Sequence, residues 1–225
     1  LSRRDGFGIV TFGWLIGGTF GALPYVFSGT IPHVITAAFE SMSGFTTTGA
    51  SVLSNLEELP FGVLFWRSIT QWIGGMGVLV LCVAILPFIG VGGMQIYRAE
   101  VPGVSVDRLA PRIASTAKFL WFIYMGLSLL QALLLGLAGM NSFDAICHAF
   151  TTMSTGGFST RSASISAYDS LPIELILIVF MFLGGVNFSL HFRAMTGKPR
   201  VYWRDPEFKW YVGFYFWKYI SSKSI

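Results

Sequence analysis

"FTTTGAS", Phe45 to Ser51, decides how this chain is to be read. Its threonines, glycine and serine stand between long apolar segments, in a chain that is 53% hydrophobic. Small hydroxyl side chains gain nothing among lipid tails, so what they face depends on the solvent of the segments around them. Charged residues make up only 12% of the sequence, against about 25% in a soluble domain, and the mean hydropathy is +0.65. Several apolar runs reach about 20 residues, the length a helix needs to cross a bilayer core. The chain therefore reads as an all-α integral membrane protein.

Charge placement orients it. Arg3 and Arg4 precede the first apolar run; Arg98, Arg108, Arg112 and Lys118 crowd the middle; Arg193, Lys198, Arg200 and Arg204 follow the last long run. Residues 28–60 and 139–172 hold Arg161 against Glu40, Glu57, Glu58, Asp144 and Asp169. Cytoplasmic loops collect Lys and Arg, which places the N-terminus, the middle linker and the stretch after Arg193 inside. The charges form bands at membrane edges rather than one patch, which argues against a nucleic-acid partner. Cys82 and Cys147 belong to no CxxC and have no His-rich neighbourhood, so neither a disulfide framework, a zinc site nor a cofactor is expected. The chain opens on Leu1 and shows no cleavable leader; the numbering is expected to begin inside a longer gene product.

The segments come in a repeated order. A first unit over 1–90 comprises a span over 6–27, a short pore helix over 32–44 with Pro32 in its first turn, a filter loop over 45–51, and a span over 61–89 with Trp66 and Trp72 towards its outer end. A cytoplasmic linker is expected over 91–113. The second unit, 114–195, has a span over 114–138, a pore helix over 142–153 capped by Asn141 or Ser142, a loop over 154–160 ("STGGFST") and a span over 173–192. An offset of 108 superposes Gly49 on Gly157, Ala37 on Ala145 and Glu40 on His148. Such repetition outranks local propensity as a guide to architecture. If each short helix and loop enters and leaves the membrane on the outer side, every basic cluster lies inside, so topology and charge agree. Residues 196–225 are expected to be a cytoplasmic segment and the start of a further span; the apolar Trp210 to Trp217 is too short to cross alone, and an interfacial segment fits it equally.

Irregular backbone at membrane depth is tolerated only where protein buries it or a water-filled cavity meets it. A loop such as Thr46–Ser51 meets that condition if it lines a pore, where carbonyls replace an ion's water shell. Gly49 and Gly157 permit backbone angles that other residues resist. Carbonyls and hydroxyls suit hard monovalent cations such as potassium or sodium, and no ring of carboxylates points to a divalent ion. The competing reading makes both loops external turns bathed in water; their matched positions weigh against it.

These stretches resemble the Trk/Ktr/HKT superfamily of potassium transporters, and within it the bacterial Trk-type uptake subunits. "SMSGFTTTGASVL" (Ser41 to Leu53) is similar to the family's first pore loop and "HAFTTMSTGGFSTR" (His148 to Arg161) to its second. "QWIGGMGVLVLCVAILP" (Gln71 to Pro87), "GVGGMQIYRAE" (Gly90 to Glu100), "GVNFSLHF" (Gly185 to Phe192) and "VYWRDPEF" (Val201 to Phe208) extend the resemblance to about Phe208. It implies two tandem span–pore helix–filter loop–span repeats, half of a four-repeat pore. Potassium, the transported substrate, would pass the carbonyls of Thr47, Thr48 and Gly49, and of Thr155, Gly156 and Gly157. It implies a bacterial inner-membrane location, a homodimer, and a cytosolic nucleotide-binding regulatory subunit as partner. Two helices before the first repeat, and a third and fourth repeat after the second, have no counterpart in this sequence. A non-conducting fragment or scaffold that needs those repeats is the alternative.

Other residues carry lesser expectations. Gly74, Gly75, Gly77, Gly184 and Gly185 read as sites of close helix approach, and Gln71 and Asn187 as polar groups within spans that hydrogen-bond to neighbouring helices, with pore lining as the alternative. Glu40 and His148 are candidates as intramembrane ionisable groups, or hydrated ones at an outer mouth. Arg67 is expected to snorkel to the interface. An intramembrane hydrolase finds no support: the sequence holds no GxSxG turn and no HExxH.

Overall fold

The computed structural model describes residues 3–89 and 110–222; most of the linker expected over 91–113 lies outside them. No strand occurs among the described residues. In chain order the helices are α1 (Arg3–Gly21), α2 (Leu23–Phe27), α3 (Val34–Phe45), α4 (Phe61–Ile89), α5 (Ala110–Leu137), α6 (Ser142–Met153), α7 (Leu171–Gly185), α8 (Phe188–Met195), α9 (Val201–Arg204) and α10 (Pro206–Ser222), with 3-10 turns at Leu56–Glu58 and Ser164–Tyr168.

The first apolar stretch is two helices rather than one. Pro24 lies in the first turn of α2 and has no N–H to offer the preceding turn, so the chain breaks at Ala22. Hydrogen bonds from Ala22 N–H to the Thr19 carbonyl (3.2 Å) and from Tyr25 N–H to the Ala22 carbonyl (3.1 Å) hold the pieces nearly in line. Val10–Phe27 still carries the hydropathy of a crossing segment (mean 1.3), as does Ala117–Leu137 within α5 (mean 1.9). The 29-residue α4 extends about 43 Å at 1.5 Å per residue, longer than the roughly 30 Å bilayer core. α5 closes with a left-handed Gly139 (φ 98°). There Met140 N–H reaches the Leu135 carbonyl and Gly139 N–H the Gly136 carbonyl, the paired bonds of a Schellman cap.

The single span expected over 173–192 is interrupted: α7 and α8 meet at 95°. Val186 is extended, and the Asn187 side chain accepts the Ser189 N–H and starts a new helix. The Leu183 carbonyl, an acceptor only, faces His191 Nε2 at 3.0 Å, so Nε2 carries the proton and Nδ1 accepts from the Tyr202 hydroxyl at 2.7 Å. One histidine thus bridges the break. The segment expected to open a further span is α10, which packs against α7. Tyr211 of α10 stacks on Phe182 of α7 with centroids 5.1 Å apart, and its hydroxyl sits where a Cβ on Gly185 would be.

The core has three parts. Ala22, Tyr25, Ile31, Ala37 and Val63 seal the first short helix against α2 and α4. Met76, Tyr124, Met153, Phe180 and Phe188 join α4 to α5, α6, α7 and α8. Leu135, Met140, Ala145, Ile173 and Leu177 pack α5, α6 and α7 together. The outside is apolar too: Phe12, Phe27 and Ile35 are 65%, 81% and 86% exposed, far too much for a water-facing monomer but normal for a lipid-facing one. α4 is the pivot, lying against both short helices, α3 and α6. A Cβ on Gly74 would strike the Phe45 carbonyl at the end of α3; one on Gly75 would meet Ser154 Cβ at 2.8 Å at the end of α6. The close approach expected of these glycines is therefore to the ends of the short helices.

Candidate functional site

Both short helices end the same way. At α3, Thr46 N–H donates to the Met42 carbonyl (2.9 Å), Thr47 to Gly44 (3.0 Å), and Thr48 and Gly49 to Ser43 (3.0 and 3.5 Å). At α6, Ser154 donates to Phe150 (3.2 Å), Thr155 to Thr152 (2.9 Å), and Gly156 and Gly157 to Thr151 (2.9 and 3.2 Å). Every one of these bonds recurs at the offset of 108 found in the sequence. Thr47 (φ 55°) and Thr155 (φ 56°) occupy the left-handed cap position, and Gly49 (φ 77°) and Gly157 (φ 79°) are left-handed again. Glycine or asparagine normally fills such a cap, and a β-branched residue there is an outlier costing about 1–3 kcal/mol. The same strain at equivalent positions in both units marks a conformation held for a purpose.

The bonds point the loops' N–H groups back at the helix ends. The carbonyls of Thr46 to Gly49 and of Thr155 to Gly157 accept no hydrogen bond among the described residues. Gly49 lies against the Gly156 carbonyl, so the two loops touch, whereas a Cβ on Gly157 would meet nothing within 4 Å. Of the six residues expected at the site, Gly49 and Gly156 are thus in direct contact, with Thr47, Thr48, Thr155 and Gly157 beside them in the chain. Gln71 of α4 is fully buried behind both loops. Its Oε1 accepts the Phe158 N–H at 3.0 Å, it abuts Gly156, and its Nε2 comes within 3.8 Å of a Cβ on Gly49. The partner of Gln71 is a loop rather than a neighbouring helix.

A second layer fixes the chain as it leaves each loop. Glu40 is not hydrated: it is wholly buried and accepts from Ser51 Oγ (2.8 Å), Val52 N–H (2.9 Å) and Arg67 Nε (2.9 Å). Arg67 does not snorkel. Only 2% exposed, it also donates to Ser51 Oγ (3.0 Å) and across to the Ser159 carbonyl (3.1 Å), and its guanidinium lies 4.2 Å from the centre of the Phe158 ring. One side chain therefore joins the first short helix to both loops. In the second unit Asp144 takes that part, accepting from Thr160 Oγ1 (2.7 Å) and Arg161 Nη2 (2.9 Å), while Asn141 caps the helix through the Asp144 N–H (3.0 Å). His148, the positional match of Glu40, is buried, and its Nε2 has no hydrogen-bond partner among the described residues. Glu40 and Asp144 sit one helical turn apart once the units are superposed, hence on the same face. A Glu and an Arg, each alone in an apolar segment, were the available signal, because intramembrane charges pair.

Outside this layer Glu57 grips the second unit, accepting from Ser162 N–H (2.8 Å) and Ser162 Oγ (2.6 Å). Those hydrogen bonds hold its carboxyl below the usual glutamate range. A depressed carboxylate stabilises the fold fully above its unfolded pKa, about 4.3, and the contribution fades as pH falls through the lower folded value. The stability difference between wild type and Glu57→Gln is expected to be constant above about pH 5 and to shrink below about pH 4. Denaturant midpoints across that range measure it, and a difference independent of pH would remove Glu57 from the clasp.

Known proteins resemble this chain in sequence and overall structure. The TrkH family model, described as a cation transport protein, matches residues 1–221. The Trk system potassium uptake protein TrkH of Escherichia coli K12 is 52% identical over 96% of this chain and 45% of its own length. TrkG of the same strain is 41% identical over 94% of this chain and 44% of its own. The crystal structure of the potassium transporter TrkH from Vibrio parahaemolyticus superposes with a TM-score of 0.82 at 46% identity, over 94% of this chain and 43% of that one. The chain thus spans a little under half the length of these relatives, which are transporters and not enzymes. A match running through both helix–loop units and the spans around them leaves one assignment: the chain is a membrane protein of the TrkH family of cation transport proteins.

Proposed function

We propose that this chain carries two tandem span–pore helix–filter loop–span repeats, half of a four-repeat ring, and serves potassium transport as part of a Trk-type pore subunit. The observation that carries the reading is the repeated loop backbone, with its N–H groups bonded inward and its carbonyls left without partners. Left-handed residues alternate with others in each loop, and on this reading the carbonyls of Thr47, Thr48 and Gly49, and of Thr155, Gly156 and Gly157, form two quarters of a cation site. The C-terminal ends of α3 and α6 lie at the loops, where the helix dipole adds partial negative charge. Neither helix has a basic residue in its last turn to cancel it. The basic bands favour a cytoplasmic N-terminus, and the family resemblance favours a bacterial inner membrane. Homodimerisation and a cytosolic nucleotide-binding regulator complete the reading.

The chain's share of its relatives' length, 45% for E. coli TrkH, favours a second reading in which two repeats conduct only beside two more. Rubidium uptake into proteoliposomes holding the purified chain decides between them, with Gly49→Asp as control. Uptake that potassium competes away and Gly49→Asp abolishes is the expected result if two chains complete a ring. Uptake appearing only when the rest of a pore subunit is supplied supports the second reading. Silence in both settings, or uptake indifferent to Gly49→Asp, overturns the filter assignment.

A further inference from the structure

Away from the filter loops, α8, the turn after it and α9 form an open cavity of about 840 Å³ lined by Arg193, Lys198, Arg200 and Arg204. No carboxylate lines it, and none of the four makes an ion pair among the described residues. The acids that follow in sequence are engaged elsewhere: Asp205 accepts the Phe208 N–H and Glu207 an Asn187 amide hydrogen. The cluster is held in place by the turn that precedes it. Gly197 (φ 90°) lets Lys198 N–H reach back to the Arg193 carbonyl at 3.1 Å. Four cations sharing one cavity repel one another unless an anion or deep hydration offsets them.

A second cavity, about 740 Å³, adjoins the first and shares Phe192 and Thr196 with it. Its chemistry is the opposite. Phe119, Phe122 and Leu130 of α5 and Met195 of α8 line it, and Phe119 packs on Phe192 with centroids 5.4 Å apart at the junction. Gly126 forms part of its wall, and a Cβ there would meet nothing within 4 Å. From Phe119 to Leu130 the groove runs about 16 Å along α5 at 1.5 Å per residue, within the apolar segment Ala117–Leu137. A soluble anion would satisfy the cations and leave this groove empty. A molecule with an anionic head and an apolar tail fills both, and the bilayer supplies it.

We propose that the basic cavity and the α5–α8 groove together bind one anionic phospholipid, its phosphate among Arg193, Lys198, Arg200 and Arg204 and an acyl chain along Phe119, Phe122 and Leu130. The site lies at the edge of the apolar band, where basic pockets between spans select anionic head groups. It does not depend on what passes the filter loops.

The test uses the purified chain in detergent, titrated with phosphatidylglycerol or phosphatidylcholine and read by native mass spectrometry. Wild type is expected to retain phosphatidylglycerol about tenfold better than phosphatidylcholine, and the double variant Arg193→Gln/Arg200→Gln to lose about tenfold of that preference. Both side chains lie at the surface, so helicity by circular dichroism should be unchanged. Gly126→Leu, which fills the groove and leaves the cations, should weaken both lipids. Inorganic phosphate at millimolar concentration should not displace the lipid. Equal retention of the two lipids, retention untouched by the double variant, or displacement by free phosphate would each overturn the site.

Discussion

Arg67→Met is expected to cost about 3–5 kcal/mol of stability, the loss typical when one partner of a buried ion pair is removed. The size follows from what stays behind. Glu40, wholly buried, keeps only Ser51 Oγ and the Val52 N–H as donors, and the Ser159 carbonyl loses the donor that crosses from the first unit. Arg67→Lys retains charge but not the planar fork that reaches three acceptors at once, so it should recover only part. Pairing Arg67→Met with Glu40→Gln removes the orphaned charge and should be less damaging than the two single effects summed, a coupling that a double-mutant cycle reads directly. The other ion pair among the described residues supplies the contrast. Arg161 is 39% exposed where it meets Asp144, and Arg161→Gln should cost under about 1 kcal/mol. Chemical denaturation of these five variants, the Glu40→Gln single included, in one detergent orders them; near-equal losses for Arg67→Met and Arg161→Gln would mean that the buried pair is not the tie between the loops.

What the sequence made legible was what hydropathy, charge bands and repetition encode. The offset of 108 aligns Gly49 with Gly157 in the sequence, and the same offset relates the four backbone hydrogen bonds that end each short helix and both left-handed pairs. Less legible were effects that need three dimensions. Nothing local says that Arg67 turns inward, because an arginine near the end of an apolar run snorkels or pairs depending on what packs over it, and here Phe158 and Glu40 do. The interruption of the fourth apolar stretch was written in "GGVN", Gly184 to Asn187. An average over 173–192 hides it, since Val186 and Phe188 keep hydropathy high across the break while Asn187 restarts the helix. Threonine as the left-handed cap was equally hidden: propensity assigns that place to glycine, and Thr47 and Thr155 hold it against propensity. Departures of that kind belong where a fold accepts strain for function.

The two left-handed glycines after the short helices should separate conformation from contact. Both have nearly the same φ, 77° at Gly49 and 79° at Gly157, so alanine at either carries the left-handed penalty of about 1–2 kcal/mol. Only Gly49 faces an obstacle. Its Cβ would enter the space of the Gly156 carbonyl oxygen, while that of Gly157 meets nothing within 4 Å. Backbone atoms cannot rotate aside as a side chain does, and overpacking of this kind adds about 1–3 kcal/mol. Gly49→Ala is therefore expected to lose about 3 kcal/mol or more and Gly157→Ala about half of that, as read from denaturant midpoints. If Gly156 moves to make room, its carbonyl leaves the position in which it would meet an ion, so Gly49→Ala should abolish rubidium uptake wherever wild type shows it. Gly157→Ala, which displaces no neighbour, should retain part. Equal losses of stability at the two positions would mean that the loops do not touch through Gly49 and Gly156, and the pairing of two quarters of one cation site would fall with that contact.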